Sequence, residues 1–250
     1  MFEDLSGKTA LITGASSDGF GAHFARLLAQ HGVEVIVAAR RLESLEALVE
    51  DIRRSGGRAS ATRLDVTDGT AVQATIDNEG AVDILVNNAG TSGISPVLEQ
   101  TEAQYDVVLD TNLKGAWLVA TAVARAMRST GRGGSIINVA SILASRQMPG
   151  ACAYAMSKAG VVQMTRQLGL ELARFKIRVN ALAPGFFATD INREFLQSDA
   201  GMALRQRIAM RRFGDYNELD GPLLLLASEA SRFMTGSVIT VDGGHSLQAL

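Results

Sequence analysis

The chain has 250 residues, of which 47% are hydrophobic and 20% charged, with a net charge of −2. That is enough chain for one α/β domain with a sizeable core. The near-neutral balance argues against recognition of nucleic acid or an anionic membrane by bulk charge. A lone cysteine, Cys152, excludes an internal disulfide framework and fits the cytoplasm, while His23, His31 and His245 are too scattered to suggest a metal site. The acidic N-terminus shows no signal core, and no apolar run approaches the roughly 18–20 residues that span a bilayer.

Short β-rich apolar runs alternate with helical patterns, which predicts a doubly wound, mainly parallel seven-stranded sheet of Rossmann type with helices on both faces. Strands are expected near 9–13, 34–38, 59–64, 83–86, 135–139, 177–183 and 238–241. Helices are expected near 20–31, 42–54, 70–76, 102–129, 155–174 and 218–227. The connection over 65–83 is short, so its helix has two or three turns. The stretch 190–214 carries Phe195, Met202 and Met210 among charges, just past a strand's C-terminal end, where open α/β sheets bind ligands. It reads as a substrate lid or as an ordinary helical excursion. Without repeats or linkers, residues 1–250 are read as one domain.

Thr13-Gly14-Ala15-Ser16-Ser17-Asp18-Gly19-Phe20-Gly21 joins the first strand to the first helix. Glycines let the backbone approach a pyrophosphate, and the helix N-terminus offers free N–H donors, so a dinucleotide is the expected ligand. The second strand ends in Ala39-Arg40-Arg41. A carboxylate there would read the ribose 2′-OH of NAD; arginine favours the 2′-phosphate of NADP, with NAD the alternative. Further on, Tyr154 and Lys158 are four residues apart and share one helix face. A neighbouring ammonium lowers a phenol's pKa. Ser141, thirteen residues before the tyrosine, supplies a hydroxyl for a substrate oxygen.

Together these features resemble a classical short-chain dehydrogenase/reductase over essentially the whole chain. Asp65-Val66 resembles the adenine-contacting pair, Asn87-Asn88-Ala89-Gly90 the motif ending the fourth strand, and Asn112-Leu113-Lys114-Gly115 the segment with the catalytic asparagine. Pro184-Gly185 matches the turn under the nicotinamide and Thr189 the carboxamide contact. The resemblance implies a catalytic set of Asn112, Ser141, Tyr154 and Lys158. Tyr154 acts as acid/base, and Lys158 tunes it and holds the nicotinamide ribose. Ser141 orients the substrate, and Asn112 holds a water. The nucleotide would lie against Gly14, Ser16, Ser17, Gly19, Phe20, Gly21, Arg40, Arg41, Asp65, Val66, Asn88, Ala89, Gly90, Tyr154, Lys158, Pro184, Gly185 and Thr189. A homotetramer is implied as well.

One departure from the family pattern touches the cofactor: four residues, not three, separate Gly14 from Gly19, and Asp18 opposes the NADP signal of the two arginines. The expected substrate pocket is Leu143, Met148, Cys152, Phe186, Phe187 and Met210, which favours a small-molecule carbonyl or alcohol with hydrophobic bulk. Cys152 is read as a small packed hydrophobe. Arg146 is read first as a surface or interface arginine, and second as a contact for an anionic group. The alternatives are a 3-oxoacyl-carrier-protein reductase, with Arg132, Arg174 and Lys176 available for docking, and a catalytically silent NADP-binding sensor.

Overall fold

The chain is described here by a computed structural model covering residues 2–16, 19–187, 196 and 198–247. Its strands are β1 (Thr9–Thr13), β2 (Glu34–Ala39), β3 (Arg58–Arg63), β4 (Ile84–Asn87), β5 (Gly134–Val139), β6 (Ile177–Pro184) and β7 (Val238–Val241). They form one sheet in the order β3-β2-β1-β4-β5-β6-β7, and every neighbouring pair is parallel. The helices are α1 (Phe20–Gln30), α2 (Leu42–Arg54), α3 (Gly69–Glu79), α4 (Glu102–Leu109), α5 (Ala116–Thr130), α6 (Cys152–Leu172), α7 (Asp199–Arg205) and α8 (Asp220–Ala227).

Side-chain alternation along the strands sorts the core into two layers. Ile12, Val35, Val37 and Val86 face Phe24, Leu28, Leu45 and Leu223 of α1, α2 and α8. Leu11, Ile36, Leu85 and Ile136 face Val72, Ile76, Val119, Val123 and Met127 of α3 and α5. Burial on both faces explains why these strands read as continuous apolar runs. The chain winds outward from β1 to β3 and then returns to β4 beside β1, which opens a crevice at the C-terminal ends of β1 and β4.

Two helices differ from expectation. The run predicted over 102–129 is α4, a π-helical segment (Asp110–Gly115) and then α5. Contrary to the sequence reading, the stretch Glu102–Thr130 is long and apolar enough to cross a membrane, at a mean hydropathy of 1.2. Half of that window is buried in the fold, as in a core helix. Helix α6 starts at Cys152 rather than near 155, which leaves Cys152 exposed in the first turn instead of packed. In 190–214 the described part contains α7, begun by Ser198, whose hydroxyl accepts from Gly201 N. Phe195 lies outside the described residues, and Met202 and Met210 are exposed.

Candidate active site

The crevice holds a cavity of about 560 Å³. Gly14, Ser16, Gly19 and Phe20 line one side, Ala39, Arg40 and Arg41 the second, and Asp65, Val66, Asn88, Ala89 and Gly90 the third. Sequence-distant motifs are tied together here. The Thr13 hydroxyl accepts from the backbone N–H of Asn88 (3.0 Å) and Ala89 (3.1 Å), and the Asn88 amide donates to Thr13 O and Gly14 O. Gly14 has φ +71°, and a Cβ there would sit 2.7 Å from Ala89 Cα. At Gly21 it would sit 2.6 Å from Asn88 Nδ2. These two glycines are required by close packing as much as by a ligand.

At the ribose end Arg40 and Arg41 are both exposed. Arg41 donates to Ser16 O at 3.1 Å and so braces the lengthened glycine loop. Asp65 accepts from the Thr67 N–H and hydroxyl, bonds that hold its carboxyl below the usual range, with Arg40 adding to the effect. Ser17, Asp18 and Thr189 lie outside the described residues. Pro184 ends β6, and Gly185 N donates to Val241 O at 2.8 Å; a Cβ on Gly185 would strike Asp242.

Above the crevice Ser141, Tyr154, Lys158 and Asn112 come together from β5, α6 and the π segment. Ser141 follows β5 and sits beside the Tyr154 phenol, and its hydroxyl accepts from Leu143 N. Lys158 is buried and donates to Val139 O at 2.8 Å, with Nζ 5.7 Å from the centre of the Tyr154 ring. Burial alone pulls this ammonium's pKa down to about 8. The expectation that the lysine lowers the tyrosine pKa is not met by the protein groups alone. Burial pushes the phenol up, and only the neighbouring Ser141 side chain opposes it. The reason is geometric: the ammonium is aimed at a carbonyl, not at the phenol oxygen. The Tyr154 phenol is therefore protonated at pH 7.

The Asn112 side chain is held on three sides. It donates to Thr91 O (2.8 Å) and Ser157 Oγ (3.0 Å) and accepts from Thr91 N (2.7 Å). Both amide protons are used, so a water held by this residue must donate to one of its oxygens.

The expected pocket divides. Leu143, Met148 and Phe186 cluster with Ala151 and the Tyr154 ring. Phe187 does not join them, because consecutive residues of extended chain point to opposite sides. It is buried against Phe20, with ring centres 5.5 Å apart, and packs on Gly214. Phe187 nevertheless lines, with Phe186, Met210 and the 240–244 segment, a separate cavity of about 360 Å³.

Comparison with known proteins covers nearly the whole chain. A family model described as Enoyl-(Acyl carrier protein) reductase matches residues 14–246. The chain is 39% identical over 244 residues to a 3-oxoacyl-(acyl carrier protein) reductase of Thermotoga maritima, covering 96% of this chain and 98% of that one. It is 38% identical over 246 residues to a gluconate 5-dehydrogenase of Gluconobacter oxydans, covering 96% and 95%. The chain belongs to the short-chain dehydrogenase/reductase family. A gluconate 5-dehydrogenase of Burkholderia cenocepacia, solved in complex with NADP and tartrate, matches over 99% of both chains at 35% identity with a TM-score of 0.94.

Like its short-chain dehydrogenase/reductase relatives, the protein is an oxidoreductase acting on CH–OH groups. Asn138, Thr165 and Ser157 shape the site although none belongs to the set expected from the sequence. Asn87 donates to Ala116 O and Asn138 Oδ1, and Asn138 donates to Thr165, a buried polar ladder behind the site. Ser157 is fully buried, accepts from Asn112 and donates to Tyr154 O at 2.7 Å, which ties the π segment to the turn of α6 that carries Tyr154 and Lys158. Ser157→Ala leaves an Asn112 donor unpaired, a cost of about 1–3 kcal/mol. The expected result is a lower melting temperature and a roughly tenfold lower kcat, with threonine at this position restoring both. Steady-state kinetics and thermal melts of the two variants check this.

Proposed function

We propose that the protein is an NADP(H)-dependent oxidoreductase that interconverts a ketone or aldehyde and an alcohol. The observation that carries this reading is the convergence of Ser141, Tyr154 and buried Lys158 at the head of a crevice lined by the glycine turn. The fit is physical. A side chain on Gly14 or Gly21 would collide with the 88–89 backbone and side chain that floor the crevice. The ribose end presents two guanidinium groups and no carboxylate at the 39–41 position. Gly14, Gly19 and Phe20 would hold the pyrophosphate, and Arg40 the 2′-phosphate. Bound there, the nicotinamide supplies a hydride to the carbonyl carbon or takes one from the alcohol. Ser141 orients the substrate oxygen, Tyr154 gives it a proton or removes one, and Lys158 keeps that proton exchange supplied.

The two arginines have different jobs in this reading. Arg40→Ala weakens NADPH by about 10- to 100-fold and spares NADH, because one charge-assisted contact is lost. Arg41→Ala weakens both nucleotides alike, because it loosens the loop at Ser16. Dissociation constants for the two cofactors, by fluorescence titration, distinguish these roles.

The reaction itself is tested by following NADPH and NADH oxidation against aliphatic, aromatic, acyl-thioester and sugar carbonyls. No turnover across the panel would favour the silent-sensor reading. A carrier-protein-linked 3-oxoacyl substrate is the second reading, supported by the Thermotoga maritima relative. Against it, Arg132 and Lys176 line a groove at the N-terminal edge of the strands, away from Tyr154, and Phe175 is clasped by Arg128 and Arg174 at 4.7 Å each. Turnover of the carrier-linked substrate far above the free thioester would reverse this ranking. We place the enzyme in the cytoplasm as a homotetramer. The exposed Val107, Trp117, Met156 and Leu170 on α4, α5 and α6 support assembly, and light scattering tests it.

A further inference from the structure

The end of the chain folds back over the substrate side of the site. After β7, Asp242 accepts from Gly244 N (2.8 Å) and Ser246 N (2.6 Å), and Gly243 and Gly244 have φ of +60° and +78°. This turn sets the His245 ring on Phe186, with centres 5.4 Å apart. It also brings Ser246 O to 3.4 Å from Arg146 Nη1. Arg146 belongs to the loop that carries Ser141, Leu143 and Met148, and Phe186 packs in the same cluster as the Tyr154 ring. Arg146 and His245 thus meet beside the apolar wall of the catalytic pocket.

Neither is accounted for by the fold. His245 is 8% exposed, and its Nδ1 has no hydrogen-bond partner among the described residues. Buried polar atoms are satisfied in the great majority of cases, so an orphan of this kind marks a missing partner. Arg146 makes only the long contact to Ser246 O and has no carboxylate within salt-bridge distance among the described residues. Arg207 adds a second positive charge close to His245. Among the described residues the one carboxylate acting on the imidazole, Asp242, has both oxygens engaged by backbone N–H groups. Burial first, then Arg146 and Arg207, hold the imidazole neutral against Asp242. What remains is one guanidinium fork and one ring nitrogen able to donate, a donor set that matches the two oxygens of a carboxylate.

We propose that Arg146 and His245 form a subsite for a substrate carboxylate, so that the preferred substrate is a hydroxy or oxo carboxylic acid. The apolar side chains of Leu143, Met148 and Phe186 would contact the carbons between that carboxylate and the carbonyl held by Ser141 and Tyr154. The proposal rests on the oxidoreductase reading above and adds the chemical class of its substrate.

The test is a matched series of oxo acids, from 2-oxobutanoate to 5-oxohexanoate, against their methyl esters, with NADPH. The wild type is expected to prefer the acid over its ester by about 10- to 100-fold in kcat/KM at one chain length or more. Arg146→Met should erase that preference, Arg146→Lys should restore part of it, and His245→Gln should reduce it. Esters turned over as well as acids throughout the series would overturn the subsite and leave the oxidoreductase reading standing. If neither is turned over, calorimetric titration of the oxo acids into the NADP-loaded enzyme decides. Binding that Arg146→Met abolishes supports the subsite while the reaction reading falls, and no binding overturns the subsite.

Discussion

Tyr154→Phe is expected to lower turnover by about 10²- to 10⁴-fold, the usual contribution of a positioned general acid. The substitution removes one hydroxyl and keeps the ring. That ring packs with Met148, Phe186 and Leu143, so the pocket wall survives. Ser141 keeps its bond from Leu143 N at 3.1 Å and is not left without a partner. The crevice residues do not include Tyr154, so nucleotide affinity should stay within about threefold of the wild type. Steady-state rates beside a fluorescence titration of NADPH separate the two effects. A variant with full activity would remove Tyr154 from the mechanism, and one that also lost the nucleotide would show a structural role instead.

Lys158→Met is expected to remove turnover by a similar factor while improving stability near neutral pH relative to alkaline pH. The buried ammonium has its pKa drawn down to about 8 in the folded protein, from 10.5. Below pH 8 both folded and unfolded states carry the proton, and the folded state bears the whole desolvation penalty. Between pH 8 and 10.5 the unfolded state binds more protons, so wild-type stability rises with pH across that window. At about 1.4 kcal/mol per pKa unit this is worth about 3 kcal/mol. Methionine fills similar volume and cannot charge, so its stability lacks this rise. Its advantage over wild type at pH 7 is offset in part by the unpaired Val139 carbonyl, a cost of about 1–3 kcal/mol. The quantity to measure is the difference in unfolding free energy between variant and wild type. It should shift by about 3 kcal/mol in favour of wild type between pH 7 and 10.5. A difference independent of pH would mean that Lys158 titrates normally.

This pairing of lost activity with gained stability is the behaviour expected of a charge kept in the core for function. It also shows why the tyrosine–lysine spacing was only half informative. Four residues on a helix place two side chains on one face, and both indeed belong to α6. The spacing could not say that β5 offers the Val139 carbonyl to the ammonium first. Nor could it show that Ser157, between the two, joins them to Asn112.

The amino-acid sequence by itself determined the sheet, the crevice and the groups proposed to act at its head. Each is written in local chemistry: apolar runs buried on both faces, a glycine turn between strand and helix, a hydroxyl, a phenol and an amine at set intervals. The tertiary structure alone decided the matters that depend on how distant segments meet. The π segment that presents Asn112 depends on its contacts with Thr91 and Ser157. Phe186 meets the Tyr154 ring, while Phe20 of α1 covers Phe187. The exposure of Cys152 follows from where α6 begins. The meeting of Arg146 with His245, about a hundred residues apart, arises from a turn after the last strand. Local patterns specify which groups are present; long-range packing decides which of them share a cavity, and so what that cavity can bind.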